Sequence, residues 1–410
     1  MSKLAINGGP KVREGAWPSW PVWDESDCRA VVDVVRSGQW WSVGGTKVKE
    51  FEQKFAEYQG AKHGICVPNG TIALVVALQA AGVKAGDEVI VSPYTFIASA
   101  SAIVQCNAIP VFADIDLETM NVSPAAVEAA ITDKTAAIMA VHIGGMPADM
   151  DAIIDIARRH NLKVIEDAAQ AHGARWRGKG VGSIGDAGCF SFQASKNLTS
   201  GEGGIVITCD DRLADIAWSI HNVGRVKGGE WYEHPLMGCN YRMTEFQAAI
   251  LLNQLRKLDS ETARRNENGL YLAERLSRIE GIEPQKRDER VTTHAYHLFI
   301  TRYTAEAHTG VPRDKFMKAM VAEGIPLSVG YLPLYRSGMF EMDSNSCPLG
   351  CRFYGKDMDY ANLHLPNCEK LCDSEAMWLT QTVLLGTRRD MDAIADAFEK
   401  VMTNIVELRD

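Results

Sequence analysis

Residues 191–204, SFQASKNLTSGEGG, place Lys196 between a short apolar strand signal ending at Phe192 and a glycine-rich turn that leads into a second strand, GIVITC (204–209). A lysine that leaves a strand end in a loop of small polar residues is held over a pocket, where desolvation lowers its pKa and frees the amine to attack a carbonyl. Lys196 is therefore read as a Schiff-base candidate, against the solvated surface lysine that is the default for this residue type. Its company separates the two readings. The run LKVIEDAAQAHGA (162–174) puts a carboxylate, Asp167, just past the carboxyl end of a buried parallel strand, where open α/β sheets carry their ligand groups. An acid in that position suits a protonated pyridine nitrogen.

Outward from this stretch, the chain from Lys62 alternates between short β-rich runs and 3.6-type spacing. HGICV, EVIVS, IPVFADI, AAIMAVHI and KVIED read as strands. TIALVVALQAAG, the segment after PYTFIAS, the segment after Ser123-Pro124 and the one from Asp149 read as helices. The expected fold class is α/β, a mainly parallel sheet flanked by helices in a large domain (46–258), with a smaller α+β C-terminal domain (259–410). Residues 1–45 form an irregular N-terminal arm rich in Trp and Pro, which lies across a neighbouring subunit or the mouth of the site, or simply packs. Right-handed crossovers put the turns after Val67, Ser92, Val141 and Glu166 on one edge.

The chain has 410 residues, 46% of them hydrophobic, enough for a large core. Its net charge of −9 and the absence of a basic stripe argue against a nucleic-acid partner. No apolar run of membrane-spanning length and no signal-peptide pattern occur, so a cytoplasmic enzyme without a membrane partner is expected. Ten cysteines are too sparse for a disulfide scaffold. Cys347/Cys351 and Cys368/Cys372, flanking His364, can be drawn as a zinc site, but four-residue spacing also suits one helix face, and no metal is expected.

In the first turn, Asn69-Gly70-Thr71 opens a helix whose free amides, with the Thr71 hydroxyl, either cradle a phosphate or are simply capped. Phe96 in the second turn either stacks on a flat ligand or joins the core. The literal G-x-G-x-x-G at Gly180–Gly185 precedes a strand, not a helix, so it is not a dinucleotide loop. Ser191, five residues before Lys196, can donate to the same phosphate. Further on, Ala248, Leu251, Leu252, Leu255 and Leu258 form a core stripe, and Arg264 and Arg265 read as the solvated face of the helix that follows. Tyr331 and Tyr335 line an acceptor pocket or pack.

NGTIAL (69–74), PYTFIAS (93–99), EDAAQAHGA (166–174), SFQASKNLTSGEGG and GCNYRMTEFQAAIL (238–251), in this order, resemble the DegT/StrS family of pyridoxal-phosphate aminotransferases over nearly the whole chain. WPSWPVWDE (17–25), GQWWSVGG (38–45) and RWRGKGVG (175–182) resemble its inosose aminotransferase and aminohydroxybenzoate synthase branch. The resemblance implies a fold type I enzyme with pyridoxal 5'-phosphate held as a Schiff base on Lys196. It also implies that Asp167 pairs with the pyridinium nitrogen, Gln170 bonds the phenolic oxygen and Phe96 stacks on the ring. Gly70, Thr71 and Ser191 are then expected to bind the phosphate, and Asn240 to reach the neighbouring subunit's cofactor in a homodimer.

The expected activity is transfer of an amino group from glutamine or glutamate to a ketone on a cyclitol or sugar-like ring. The alternatives are a nucleotide-diphosphate keto-sugar as acceptor, or a dehydratase/aromatase of the aminohydroxybenzoate type. A diphosphate acceptor favours clustered basic residues, and the sequence offers only scattered ones such as Arg225, Lys227 and Arg242.

Overall fold

The computed structural model describes residues 3–340 and 358–409. Two helices, α1 (Glu25–Ser37) and α2 (Lys47–Gln59), precede a sheet wound from β1 (His63–Val67), β2 (Glu88–Val91), β3 (Ile109–Phe112), β4 (Thr135–Val141) and β5 (Lys163–Asp167). The crossover helices are α3 (Gly70–Ala80), α4 (Ala98–Gln105), α5 (Pro124–Ala129) and α6 (Met150–His160). After two short strands, β6 (Arg175–Trp176) and β7 (Lys179–Gly180), the sheet is completed by β8 (Ala187–Ser191) and β9 (Gly204–Thr208).

The strand order is β1-β9-β8-β5-β4-β2-β3. The ladders joining β8, β5, β4, β2 and β3 are parallel, whereas β9 runs antiparallel to both β8 and β1. The one reversed strand has a local cause. The connection from β8 to β9, residues 192–203, holds no helix and turns back on the same edge, as an antiparallel neighbour requires, and that loop carries Lys196.

Both faces of the sheet are covered. Along β4, Ala137, Met139 and Val141 belong to one buried cluster, while Ile138 and Ala140 belong to the other. This double burial is why the parallel strands read as continuous apolar runs without alternation. Helix α3 is apolar all round because it sinks into the core, and Asn69 caps it by accepting a hydrogen bond from the Ile72 N–H at 2.9 Å.

After α7 (Asp211–His221), the 32-residue helix α8 (Glu245–Leu276) runs about 48 Å. Its first half packs Ala248, Leu251, Leu252 and Leu258 into the large core, and its second half packs Leu272 and Leu276 into a separate one. That second core lies beside an antiparallel sheet, β10 (Ile282–Pro284), β12 (Leu298–Tyr303), β14 (Ala376–Thr380) and β13 (Ser328–Val329), in this spatial order. Strand β11 (Val291–Thr293) pairs with β6. Helices α9 (Glu306–Thr309), α10 (Arg313–Ala322), α11 (Pro366–Lys370) and α12 (Arg388–Thr403) complete the described residues. None of the described helices is long and apolar enough to cross a membrane.

Helix α8 corrects one expectation. Arg264 is exposed as expected, but Arg265 is fully buried. The core stripe continues through positions 258, 262, 265, 269, 272 and 276, so Arg265 falls on the inward face and is a cation in a buried position.

Candidate active site

Because the strands are parallel, the carboxyl ends of β1, β2, β4, β5 and β8 share one edge, and a cavity of about 980 Å³ opens there. Gly70, Thr71, Phe96, Asp167, Gln170, Ser191 and Lys196 all line it. Asn240 does not; it is exposed, in an isolated bridge with Asn222. Phe96 is 56% exposed, so it is a cavity-wall ring and not a core residue. Tyr331 lines the cavity, whereas Tyr335 packs away from it and donates to Glu369 at 2.6 Å.

The loop around Lys196 is pinned on both sides. The Asn197 amide donates to the Ala295 carbonyl at 2.8 Å, the Thr199 hydroxyl donates to the Phe192 carbonyl at 2.9 Å, and Leu198 is buried between them. Lys196 is half-buried above this anchor. Burial lowers its amine from 10.5 to about 8, with the Asp167 carboxylate acting in the opposite direction.

Asp167, at the end of β5, is held from two sides. Its Oδ2 accepts from the Ser99 hydroxyl at 2.7 Å and its Oδ1 from the Ala169 N–H at 3.2 Å. Gln170 is fixed in orientation, because its Oε1 accepts from the Gly144 N–H at 2.7 Å. Its Nε2 must then donate, and one of its protons goes to the Tyr331 hydroxyl at 2.8 Å.

The N-terminus of α3 meets Ser191 at close quarters. A Cβ at Gly70 would lie 2.7 Å from Ser191 Cβ, and one at Gly204 would lie 2.4 Å from the Asn69 carbonyl oxygen. Both positions demand glycine, so the Gly70 backbone, Thr71 and the Ser191 hydroxyl form one small polar cradle.

The sequence reading missed the supports beneath these groups. Glu166 is fully buried, and its carboxylate accepts from the N–H groups of Gly182, Ile184 and Gly185 at 2.7, 2.7 and 2.6 Å. The G-x-G-x-x-G loop thus wraps a carboxylate of the protein itself. His142 accepts the Ala148 N–H at Nδ1, so its Nε2 proton faces Glu166 at 3.0 Å. Glu166→Gln sets an amide N–H against this ring of donors. We expect it to lower stability by about 3 kcal/mol, read as a fall in the denaturation midpoint; an unchanged midpoint would contradict this account.

His172 and His297 are buried beside the lysine, and burial holds both rings neutral, His172 at about 3 and His297 well below its ordinary value. Trp20 of the N-terminal arm also lines the cavity, and its Nε1–H donates to the Ala194 carbonyl at 2.9 Å. Cys368 and Cys372 are buried with sulfurs 3.8 Å apart, while Cys347 and Cys351 lie outside the described residues. His364 pairs with Glu369 instead.

A mainly parallel α/β sheet whose strand ends bring a lysine of lowered pKa and a buried carboxylate into one cavity fits the fold type I aminotransferase class, the class to which the family model and the solved relatives assign the chain. Within that class the chain belongs to the DegT/DnrJ/EryC1/StrS aminotransferase family, whose model matches residues 21–394. It is similar to a putative L-glutamine:3-amino-2,3-dideoxy-scyllo-inosose aminotransferase of Streptoalloteichus tenebrarius, 41% identical over 100% of both chains. It is also similar to L-glutamine:scyllo-inosose aminotransferase of Streptomyces griseus, 38% identical over 99% of both. The crystal structure of 3-amino-5-hydroxybenzoic acid synthase superposes with a TM-score of 0.84 at 33% identity, covering 96% of this chain and 100% of that one. Family membership implies pyridoxal phosphate as cofactor.

Proposed function

We propose that the protein moves an amino group from L-glutamine to the ketone of a polyhydroxylated carbocycle, an inosose-type cyclitol, using pyridoxal phosphate held at Lys196. The observation that carries the acceptor class is the cavity wall. Among the described residues it includes one cationic side chain, Lys196, and no arginine. Thr95, Gln105, Gln193, Ser195, Thr380 and Thr382 supply neutral hydroxyls and amides instead. Such a wall matches ring hydroxyls; a nucleotide diphosphate calls for paired cations. Arg242, one of the scattered basic residues, donates to Asn222 at 2.8 Å and stands outside this wall.

The residues present fit the cofactor. Lys196 supplies an amine poised near neutrality, Asp167 an anchored acid, and the Gly70–Thr71–Ser191 cradle a phosphate-sized polar corner. When bound, pyridoxal phosphate supplies an electron sink and a temporary store for the amino group. Lys196 would hold it, and its Nζ would carry a proton to and from the substrate carbon. Asp167 would hold a proton on the ring nitrogen, with Ser99 and the Ala169 N–H fixing the carboxylate's direction. The remaining Nε2 proton of Gln170 would serve the phenolic oxygen, and Phe96 would cover one ring face. Asn240, exposed and outside the lining of its own chain's cavity, serves the site of a second copy. Exposed Trp23, Trp40 and Trp41 support a homodimer by leaving apolar surface to be covered.

At pH 7 an amine titrating at about 8 is neutral in about one molecule in ten, against about one in three thousand for a lysine at 10.5. Burial disfavours the charged form, so the proton leaves earlier. The rate at which cofactor-free protein captures pyridoxal phosphate should rise about tenfold per pH unit below 8 and level off above it. A rate still climbing through pH 10 would show an unperturbed lysine.

The acceptor is tested by supplying L-glutamine with keto-inositols or with nucleotide keto-sugars and following amine product by mass. Amination of keto-inositols alone is the expected result; exclusive use of nucleotide keto-sugars overturns the reading.

A further inference from the structure

One buried polar pair at the Trp20 end of the cavity is used by none of the roles above. Arg265 is fully buried, and its Nε–H donates to Gln381 Oε1 at 2.9 Å. An arginine cannot accept a hydrogen bond, so this contact fixes the Gln381 amide with its oxygen toward Arg265 and its nitrogen free to donate. Gln381 belongs to the cavity wall and is 1% exposed, yet its Nε2 has no hydrogen-bond partner. Arg265 Nη1 also lacks a partner. Two orphaned donors on directly bonded side chains call for an acceptor that the protein does not supply.

The charge on Arg265 says which acceptor suits the pair. Arg265 meets one carboxylate, Glu261, through Nη2 at 3.1 Å. The indole of Trp20, which lines the cavity, lies 5.2 Å from the guanidinium. His297, also in the wall, and His172 are neutral, and Lys196 has the Asp167 carboxylate as its own counterpart in the cavity. Burial pulls even the guanidinium down to about 10, against the opposing pull of Glu261, so the cation is held largely out of water. A ring hydroxyl offers these two donors one neutral oxygen, whereas a carboxylate offers two charged ones and the stronger, charge-assisted bonds.

We propose that Gln381, oriented by Arg265, is the subsite for the α-carboxylate of the amino-acid donor, with Gln381 touching the carboxylate and Arg265 acting as a positioning residue that also supplies positive charge. This rests on the reading that an amino acid is the donor and adds where the enzyme recognises it. The polyhydroxylated acceptor, which carries no carboxylate, gains nothing from this pair, so the two half-reactions depend on it unequally.

The holoenzyme tests this with L-glutamine, its decarboxylated analogue 4-aminobutanamide, and a keto-inositol. Gln381→Leu removes the donor group. Gln381→Glu keeps the shape, accepts from Arg265 Nε–H and so preserves the fold, but places a like charge against the donor. Both variants are expected to raise KM for L-glutamine about 10- to 100-fold. The preference for L-glutamine over 4-aminobutanamide should shrink by the same factor, with KM for the keto-inositol unchanged. Arg265→Lys should move the preference in the same direction, and where it fails to fold, Gln381→Glu decides. An unaltered preference in Gln381→Glu, or a change confined to the keto-inositol KM, overturns the subsite. Failure of the wild-type enzyme to use L-glutamine at all instead overturns the functional reading on which it stands.

Discussion

Lys196→Ala loses at least about four orders of magnitude in transamination while keeping its melting temperature. The size of the loss follows from two duties falling on one nitrogen, attachment of the cofactor and proton transfer at the substrate carbon. The retained stability follows from the anchoring of the loop, which hangs on Asn197, Leu198 and Thr199 and not on the lysine. Burying an amine whose pKa falls to about 8 is itself unfavourable, so its removal does not weaken the fold. The variant should still take up pyridoxal phosphate through the Gly70–Thr71–Ser191 cradle without covalent attachment. Borohydride reduction followed by peptide mass mapping checks the point: a wild-type adduct at Lys196 and none in the variant. Turnover near the wild-type rate, or an adduct on another lysine, would remove the basis of the functional reading.

Asp167→Ala carries the second large effect. We expect proton removal from the substrate carbon to slow by about 10²- to 10⁴-fold, since the ring nitrogen loses the group that keeps it protonated. Cofactor affinity should fall about 10- to 100-fold with the lost charge-assisted hydrogen bond. Asp167→Asn separates charge from geometry, because an amide oxygen still accepts from the Ser99 hydroxyl, now 2.7 Å from Oδ2. If charge is what matters, the asparagine variant retains cofactor binding better than the alanine variant yet stays slow in proton removal. Rapid-mixing absorbance after addition of L-glutamine reads the step directly, and a wild-type rate in either variant contradicts the ring-nitrogen role.

Much of the fold was legible because its signals are local. Each strand–turn–helix unit from His63 to Asp167 announces itself within a dozen residues, and parallel packing buries both faces of every central strand. Lys196, Asp167, Ser191 and the Asn69–Thr71 turn were visible for the same reason, being residues at strand ends whose placement follows from the winding. Arg265 was misplaced although its position continues the stripe of α8, because a charge on an inward face is discounted when no partner is in view. Gln381, the partner, is 116 residues away, just past the end of β14.

By itself, the order of residues determined a wound α/β sheet, the edge where the chemistry sits, and the lysine and acid that occupy it. Tertiary structure alone decided the orientation and charge environment of those groups. Ser99 meets Asp167 across 68 residues, Tyr331 meets Gln170 across 161, and Glu166 disappears into the glycine loop. Hydrogen bonds of that span depend on how separately folded layers stack, and no local periodicity encodes the distance between two layers. That is the physical reason why the proposed reacting groups could be picked out in the chain, whereas the groups packed around them became visible only once it was folded.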